Sequence, residues 1–474
     1  MSLPNTHFGP EYIKKLLLGN KKLFFDGIGG ISMNSLAHVS FLMGHTVSGY
    51  DKTKSEITSK LESIGIKVYY TPSADHVKDC DALIYTVAMP SDNPEYAYAK
   101  EHGIPVISRA DFLGYIMTEY KKRIGVSGTH GKSTTTGMIA KILSTAGADP
   151  TVFNGAPMKD THSADIIGKN DFFVFEACEY MDSFLDFNPT LAIVLNVELD
   201  HVDYFKSIEQ MINSYSAFMN LTGKDGFAVI NYDDENAKKA AEKYIGNIVS
   251  FSRGNALASY CSVNEKVDSG YCEFDIAEKG KTIAHVNLNV PGEHEIYDAL
   301  AAFAACSVYG IPPKVIAEGL SNYKGISRRM DKVCVTKKGA DIYADYAHHP
   351  TEISSTLAGA EKICRGNLRV IFQPHTFSRT AELFDDFVSV FNNCKADEVI
   401  LYDIYPAREK NIYGVYSEDI SEKLKESGKK SSVFHDFEKA AEYLDKVSEK
   451  GDISIVMGAG DIIKIAEILE KKYN

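Results

Sequence analysis

The stretch Gly125-Val126-Ser127-Gly128-Thr129-His130-Gly131-Lys132-Ser133-Thr134 constrains this chain more than any other. A short run beginning at Arg123-Ile124 leads into it, and a helical pattern, Thr136-Gly137-Met138-Ile139-Ala140-Lys141-Ile142-Leu143, follows it. A glycine turn that opens a helix aims free backbone amides outward, which is how a chain wraps a polyphosphate. The Gly-Lys-Ser ending adds Lys132 for β- and γ-phosphates and the Ser133 hydroxyl for magnesium, so ATP with Mg2+ is the expected ligand. Strict phosphate-loop spacing asks for a glycine five places before Gly131, where Val126 stands, which makes this a variant loop. A solvent-exposed turn at a helix start is the plainer alternative, and Gly-Lys-Ser with its helix-forming continuation weighs against it.

The loop begins more than a hundred residues into the chain, so a whole domain precedes it. At 474 residues the chain exceeds one ordinary core, and roughly three units are expected. A net charge of −13 argues against a general nucleic-acid or anionic-membrane binder, leaving polyanionic substrates to local groups and metal. The eight cysteines are scattered without a C-x-x-C pair, which reads as reduced thiols in a cytoplasmic protein with no zinc site. No basic region precedes an apolar run at the N-terminus, and no apolar stretch reaches the roughly 20 residues of a membrane helix, so a soluble, unexported chain is expected.

Strand and helix signals alternate along three segments, 1–119, 120–325 and 326–474, giving an α/β fold class. In the first, Lys22-Leu23-Phe24-Phe25 leads into the turn Gly27-Ile28-Gly29-Gly30 and the helical Met33 to Val39. A second strand at His45 to Gly49 then ends in Asp51. This outlines a nucleotide-binding βαβ unit, but the dinucleotide fingerprint requires a third glycine where Ser32 stands, so a diphosphate is favoured over NAD. The second segment adds the buried-strand runs Phe172 to Glu176 and Leu191 to Asn196. The third adds Ile342 to Asp345, Arg369 to Phe372, Glu398 to Tyr402 and Ser454 to Met457. Ligands in open α/β sheets collect at the ends of such strands.

Together these pieces resemble the Mur ligase family. The resemblance rests on Gly27 to Gly30, Gly128 to Ser133, Asn196-Val197-Glu198-Leu199-Asp200-His201-Val202-Asp203, Arg328-Arg329-Met330-Asp331 and Asp345-Tyr346-Ala347-His348-His349-Pro350-Thr351-Glu352. It continues through Gln373-Pro374-His375-Thr376-Phe377-Ser378-Arg379-Thr380, Tyr405-Pro406-Ala407-Arg408-Glu409 and Gly458-Ala459-Gly460-Asp461. The resemblance implies a Rossmann-like N-terminal domain, a central P-loop ATPase-type mononucleotide-binding domain and a Rossmann-like C-terminal domain. It also implies ATP-dependent joining of L-alanine to the carboxylate of UDP-N-acetylmuramate through an acyl phosphate, in cytoplasmic peptidoglycan precursor synthesis, by a monomer or homodimer.

Carried onto this sequence, the resemblance implies ATP contacts from Gly128, Thr129, His130, Gly131, Lys132, Ser133, Thr134, His294, Arg329 and Asp345. It implies magnesium at Ser133, Glu176 and His201. Tyr346, His348 and Arg379 would hold the amino acid, with Lys132, Glu176, His201, His348 and Arg379 as the catalytic set. Gly27, Ile28, Gly29, Gly30, Asp51 and Arg109 would bind the UDP substrate. Arginine suits a carboxylate or a phosphoryl group because its planar fork binds both in bidentate fashion.

The chain departs from the family pattern at Glu295 and Asp298, where asparagine is usual beside the nucleotide, and at Cys178, where aspartate is expected. The glycine-histidine pair that often follows the Tyr69-Tyr70 strand is also missing. Two acids near a nucleotide would add negative charge and remove amide donors. The alternatives are a ligase that recycles murein peptides, a paralogue with altered substrate or lost turnover, and an NAD-dependent oxidoreductase. Because the site draws on all three segments, the outer two are expected to swing onto the central one.

Overall fold

The computed structural model describes residues 3–87, 89–169, 171–201, 204–268, 270–407 and 409–473. Val202, Asp203 and Arg408, quoted above in two motifs, lie outside the described residues. The chain forms three sheets. The first holds five parallel strands, β1 Lys22–Asp26, β2 Thr46–Tyr50, β3 Lys67–Tyr69, β4 Ala82–Tyr85 and β5 Val106–Ser108, in the order β3-β2-β1-β4-β5. This is a Rossmann-like half-sheet. Its order reverses beside β1, and the Gly27 turn stands in the crevice at that reversal.

The second sheet is built from β6 Lys122–Ser127, β7 Thr151–Met158, β8 Ser163–Ile166, β9 Phe172–Glu176, β10 Leu191–Val194, β11 Phe227–Asn231, β12 Asn247–Arg253, β13 Tyr260–Asp268, β14 Tyr271–Glu278 and β15 Lys281–Pro291. Their order is β15-β14-β13-β12-β11-β10-β6-β9-β7-β8. β6 lies between β10 and β9, both parallel to it, so the glycine loop emerges from the middle of the parallel part of the sheet. The third sheet contains β16 Asp331–Val335, β17 Asp341–Asp345, β18 Leu368–Phe372, β19 Glu398–Tyr402, β20 Ser431–Phe434 and β21 Ile453–Met457, ordered β16-β17-β21-β18-β19-β20. Only β16 runs antiparallel there. The apolar runs of β9, β10 and β21 are buried along nearly their whole length, as strands covered by helices on both faces must be.

The two junctions between sheets differ in chemistry. Phe112, Leu113 and Ile116 from the first segment share one apolar cluster with Phe153, Phe175, Phe184 and Phe187 of the second. The third segment keeps its own clusters, around Phe372 and Phe391 on one face of its sheet and Ile371 and Ile465 on the other. It meets the second segment through polar contacts: Arg379 with Asp200 at 2.9 Å, Thr351 with Glu198 at 2.8 Å and Lys159 with Asp331 at 2.8 Å. Apolar continuity resists relative motion, whereas polar interfaces permit it. The expectation that both outer segments swing therefore narrows to the third. Its connection to the second passes through Arg328 and Met330, both at positive φ, 59° and 40°, a conformation held by surrounding structure rather than by side-chain preference.

Gly114 tests the apolar junction. It sits inside the helix Arg109–Met117, where alanine would ordinarily stabilise, yet a Cβ there would overlap the backbone oxygen of Asp186. Gly114→Ala should cost roughly 1–3 kcal/mol of unfolding free energy, as at an overpacked core site, and so lower the urea-unfolding midpoint. A raised midpoint would mean that the helix does not press on the Tyr180–Asp186 segment.

Candidate functional site

The glycine loop is shaped by two residues at positive φ, Gly128 at 146° and Gly131 at 83°. Val126 is buried within β6 and paired with Glu176 and Ile193, so the missing glycine falls in strand, where none is needed. A Cβ on Gly128 would lie 2.9 Å from Leu195 Cβ, and one on Gly131 would overlap the Asp298 carboxylate. Thr129 spends its hydroxyl on the backbone of Glu198, and His130 donates its backbone N–H to Asn196 Oδ1. The loop is thereby tied to the strand end beside it. The helix Lys132–Thr145 then starts with its first amides free to face an anion.

Lys132 donates to the loop's own Thr129 carbonyl at 3.0 Å and pairs with Glu179 at 3.3 Å. Burial alone would pull its ammonium down, but Glu179 holds it well above the ordinary lysine range. Glu179 is fully buried and also lies 3.5 Å from His201 Nε2. His201 in turn lies 3.9 Å from Asp200, whose other oxygen accepts from Arg379 Nη2 at 2.9 Å. Burial would raise the Asp200 pKa, yet His201, Arg379 and His348 keep it far below the ordinary carboxylate range. A file of alternating basic and acidic side chains thus runs from Lys132 through Glu179, His201 and Asp200 to Arg379.

Ser133 Oγ donates to Glu176 Oε2 at 2.6 Å, and the same oxygen accepts from the backbone of Gly155 at 3.0 Å. A hydroxyl and a carboxylate this close offer the hard oxygen donors that Mg2+ prefers. His130, Glu198 and His349 also bring ligand atoms together. Burial opposes a charge on His130, but Glu198 at 3.4 Å and Glu352 at 3.3 Å overcome it and lift its pKa to about 9. An imidazolium has no lone pair for a cation, so this group works as an ion-pair clasp between segments.

Glu352 is the hub on the third segment. It meets His130, Arg329 at 3.4 Å and His348 at 3.2 Å, and these basic groups, Arg329 foremost, keep it ionised despite burial. His349 caps the helix Pro350–Ile363 by accepting from Thr351 N. Asp345 accepts from the backbones of Met330 and Ala347, fixing the chain just past the crossover. The ring of Tyr346 lies beneath Arg328 at 4.8 Å and Arg329 at 5.6 Å, a cation–π platform between these arginines and His348. A cavity of about 360 Å³ opens between the segments, lined by His130, Gly131, Thr134, His294, Arg329 and Asp345 among others. That volume lies in the range of small-molecule sites. His294 stands exposed at the cavity wall, 3.6 Å from Glu295, where desolvation inside the cavity and Arg329 push its pKa down.

The remaining sequence candidates form a separate group on the first sheet. Gly27 takes φ 83°, and Asp51 accepts from Gly29 N at 2.9 Å and from Thr53 N at 3.1 Å, so this acid braces the turn itself. A Cβ on Gly29 would sit 2.7 Å from the same carboxylate. Gly30 precedes the helix Ile31–Leu42, opening its N-terminus beside Ile28 and the turn. Arg109 donates to Ser32 at 3.1 Å and makes no ion pair among the described residues. It lines a small cavity with Cys178 and Tyr180. The segment Glu176–Glu179 therefore touches both groups, presenting Cys178 toward Arg109 and Glu179 toward Lys132. Burial lifts the Cys178 thiol to about 11, so Arg109 faces a neutral group.

Sequence reasoning did not single out Glu179, Asp200 or Glu352, although the motifs holding the last two were quoted. The i,i+4 spacing of His348 and Glu352 across a helix start was the available signal for the last. Asp26 was also passed over. Burial, then Glu95 and Asp51, raise it to about 8, leaving a neutral acid beside the Gly27 turn where an anion could approach.

Comparison with known proteins covers nearly all of the chain. The family model for the Mur ligase family, catalytic domain, matches residues 24–121; that for the Mur ligase middle domain matches 126–306; and that for the Mur ligase, glutamate ligase domain matches 328–460. The UDP-N-acetylmuramate--L-alanine ligase of Caldicellulosiruptor saccharolyticus is 44% identical over 452 residues, covering 95% of this chain and 98% of that protein. The protein of the same name from Clostridium acetobutylicum is 40% identical over 455 residues, with 96% and 98% covered. A crystal structure of UDP-N-acetylmuramate-alanine ligase from Thermotoga maritima superposes with a TM-score of 0.80 at 27% identity, covering 96% of this chain and 99% of that one.

The His130 clasp has a pH signature. Its folded pKa of about 9 lies above the roughly 6.5 of an unfolded histidine, so its contribution to stability is complete below pH 6.5 and is lost as pH rises through 9. Thermal unfolding between pH 6.5 and 9 should show a shallower alkaline fall for His130→Gln than for the native protein. Equal slopes would remove the clasp.

Proposed function

The chain belongs to the Mur ligase family, and from that membership we propose that it joins L-alanine to the carboxylate of UDP-N-acetylmuramate at the expense of ATP, in the building of the peptidoglycan precursor. The observation that carries this reading is the file of charged side chains from Lys132 to Arg379. It puts a phosphate-loop cation and a carboxylate-binding guanidinium at two ends of one continuous site. A reaction between two anions and an amine needs that arrangement.

In the proposed sequence the substrate carboxylate attacks the γ-phosphoryl group, giving an acyl phosphate and ADP. The amine of alanine then attacks the acyl carbon, the tetrahedral intermediate expels phosphate, and an amide remains after the nitrogen loses its proton. No protein nucleophile takes part. Lys132 and the amides at the start of its helix take the phosphate charge, and Arg379 with His348 takes the alanine carboxylate. Arg329 and Glu352 hold the third segment over the cavity, which keeps water from the acyl phosphate. Ser133, Glu176 and His201 would hold the Mg2+ that enters with ATP, and its charge would neutralise the γ-phosphate oxygens. The Gly27 turn and Arg109 receive the UDP-bearing substrate.

Arg379 and Lys132 both begin paired, with Asp200 and Glu179. Substrate anions therefore replace existing partners rather than meeting bare cations, and closure of the third segment is coupled to that exchange.

Phosphate release with magnesium ATP, UDP-N-acetylmuramate and L-alanine, omitting one component at a time, tests the proposal. Release should require all three, and Lys132→Ala should abolish it while the variant still folds, with a lowered unfolding midpoint, and still binds the UDP substrate. Glu179→Gln should lower turnover by a factor of about 10² to 10³, the usual loss when one fixed stabiliser is disturbed. Release supported by a murein tripeptide and not by alanine would overturn the choice of amino acid.

A further inference from the structure

The segment that follows Glu179 carries a strained turn that the proposed chemistry does not use. Met181 and Asp182 are consecutive non-glycine residues in the left-handed region, at φ 54° and 55°. A residue with a Cβ persists there only where its surroundings over-determine it. Those surroundings act on the Asp182 carboxylate. Its Oδ2 accepts from the Tyr204 hydroxyl at 2.6 Å, and its Oδ1 accepts from Ser214 Oγ. Ser214 is buried on the helix Ile208–Asn220, and Phe184 stacks on Phe218 of the same helix with ring centroids 4.6 Å apart. Asp182 is thus pinned to a helix on one side and to Tyr204 on the other.

The two residues joined by that 2.6 Å bond each stand three places after a group of the site. Asp182 donates its backbone N–H to the Glu179 carbonyl at 2.9 Å, and Tyr204 donates its own to the His201 carbonyl at 2.8 Å. His201 also has positive φ, 52°. Two backbone closures therefore lie side by side, one ending at Asp182 and the other at Tyr204. The side chains that begin them, Glu179 and His201, meet at 3.5 Å, and the side chains that end them meet through the hydroxyl bond. The Tyr180 ring packs between, 4.8 Å from the His201 ring and 6.4 Å from the Tyr204 ring. Glu179 then reaches Lys132 of the glycine loop at 3.3 Å.

We propose that Asp182 and Tyr204 are positioning residues for the ligase reaction: their side-chain bond holds the two closures in register and so sets where Glu179 and His201 stand relative to Lys132. The inference rests on the reading of Lys132, Glu179 and His201 as one phosphate-handling site, and goes beyond it by giving the left-handed pair a role. Both residues act through other side chains rather than on substrate. A displacement of about 1 Å in a positioned group costs up to about 10²-fold in rate, so a turn that stores strain needs a firm tie. Aspartate suits the place because it tolerates left-handed backbone better than most residues and brings two acceptors. Glycine would adopt the same backbone freely and join nothing.

Tyr204→Phe removes one oxygen and keeps the ring that packs on Tyr180 and Phe205. In phosphate release by the full-length protein its kcat should fall about tenfold, as for one charge-assisted hydrogen bond, with each KM within about twofold of native. Asp182→Gly should be at least as slow, and the double variant no slower than Asp182→Gly alone, because both changes remove one interaction. Asp182→Asn keeps an acceptor for Tyr204 and should recover most of the turnover that Asp182→Gly loses. Isotope labelling restricted to histidine gives an NMR readout free of activity. The His201 ring signal, assigned by its loss in His201→Gln, should shift in Tyr204→Phe as the Tyr180 ring moves. Native kcat in Asp182→Gly, a loss carried by KM alone, additive losses in the double variant, or an unmoved His201 signal overturns the proposal. If the native protein releases no phosphate, the ligase reading fails, and the His201 signal alone decides whether the tie positions that side chain.

Discussion

The buried ion pair between Lys132 and Glu179 sets the terms for the site around it. A lysine ammonium removed from water is strongly disfavoured unless a carboxylate and further acceptors meet it, and here Glu179 and the loop carbonyls do. That requirement fixes the loop, because Lys132 can reach both only if Gly128 and Gly131 turn the backbone back on itself. It also fixes Glu179 in the interior, where its remaining contact is His201, so the phosphate-loop cation and the expected metal ligand share one anion. Replacing Glu179 would leave a buried cation with only carbonyl dipoles, which links the architecture of the loop directly to its chemistry.

From that centre outward the molecule divides by interface type. The first and second segments share aromatic and aliphatic packing, so the Gly27 turn and the glycine loop keep a constant relationship. The third segment is held by ion pairs and hydrogen bonds whose members include groups proposed to meet substrate. Polar contacts of this kind exchange partners at small net cost, since each broken pair is replaced by another charged partner or by water. A ligase that must exclude water during acyl phosphate formation and then release an amide product is served by one rigid and one exchangeable junction.

Burial also alters what acidic residues do here. Asp26, Glu295 and Asp298 look in sequence like negative charge placed where phosphate-bearing ligands arrive. In the folded chain the first is raised to about 8, and the other two lie in a cavity with too few cations to ionise both. A neutral carboxyl does not repel an anion, and it donates a hydrogen bond that a carboxylate lacks. The departures from asparagine at Glu295 and Asp298 therefore need not cost the site its nucleotide.

The α/β class and the phosphate loop were legible in local sequence, because each depends on contacts within a few residues: apolar runs such as Phe172 to Phe175 for a covered strand, and glycine at positions needing positive φ. Val126 misled only in spacing, since a strand residue stood where a loop glycine was sought. The roles of Glu179, Asp200 and Glu352 were hidden, because a carboxylate followed by polar residues reads the same whether it is solvated or enclosed. Their partners lie tens to more than two hundred residues away, as His130 and Glu352 do. Asp51 read as a ligand group, and the fold adds that it braces its own turn. Sequence alone determined which backbone segments could wrap a phosphate, because conformational preference and hydrogen-bond periodicity are short-range. Tertiary structure alone decided which acids are charged, which are neutral and which segment is free to move, because desolvation and ion pairing depend on what the rest of the chain brings alongside.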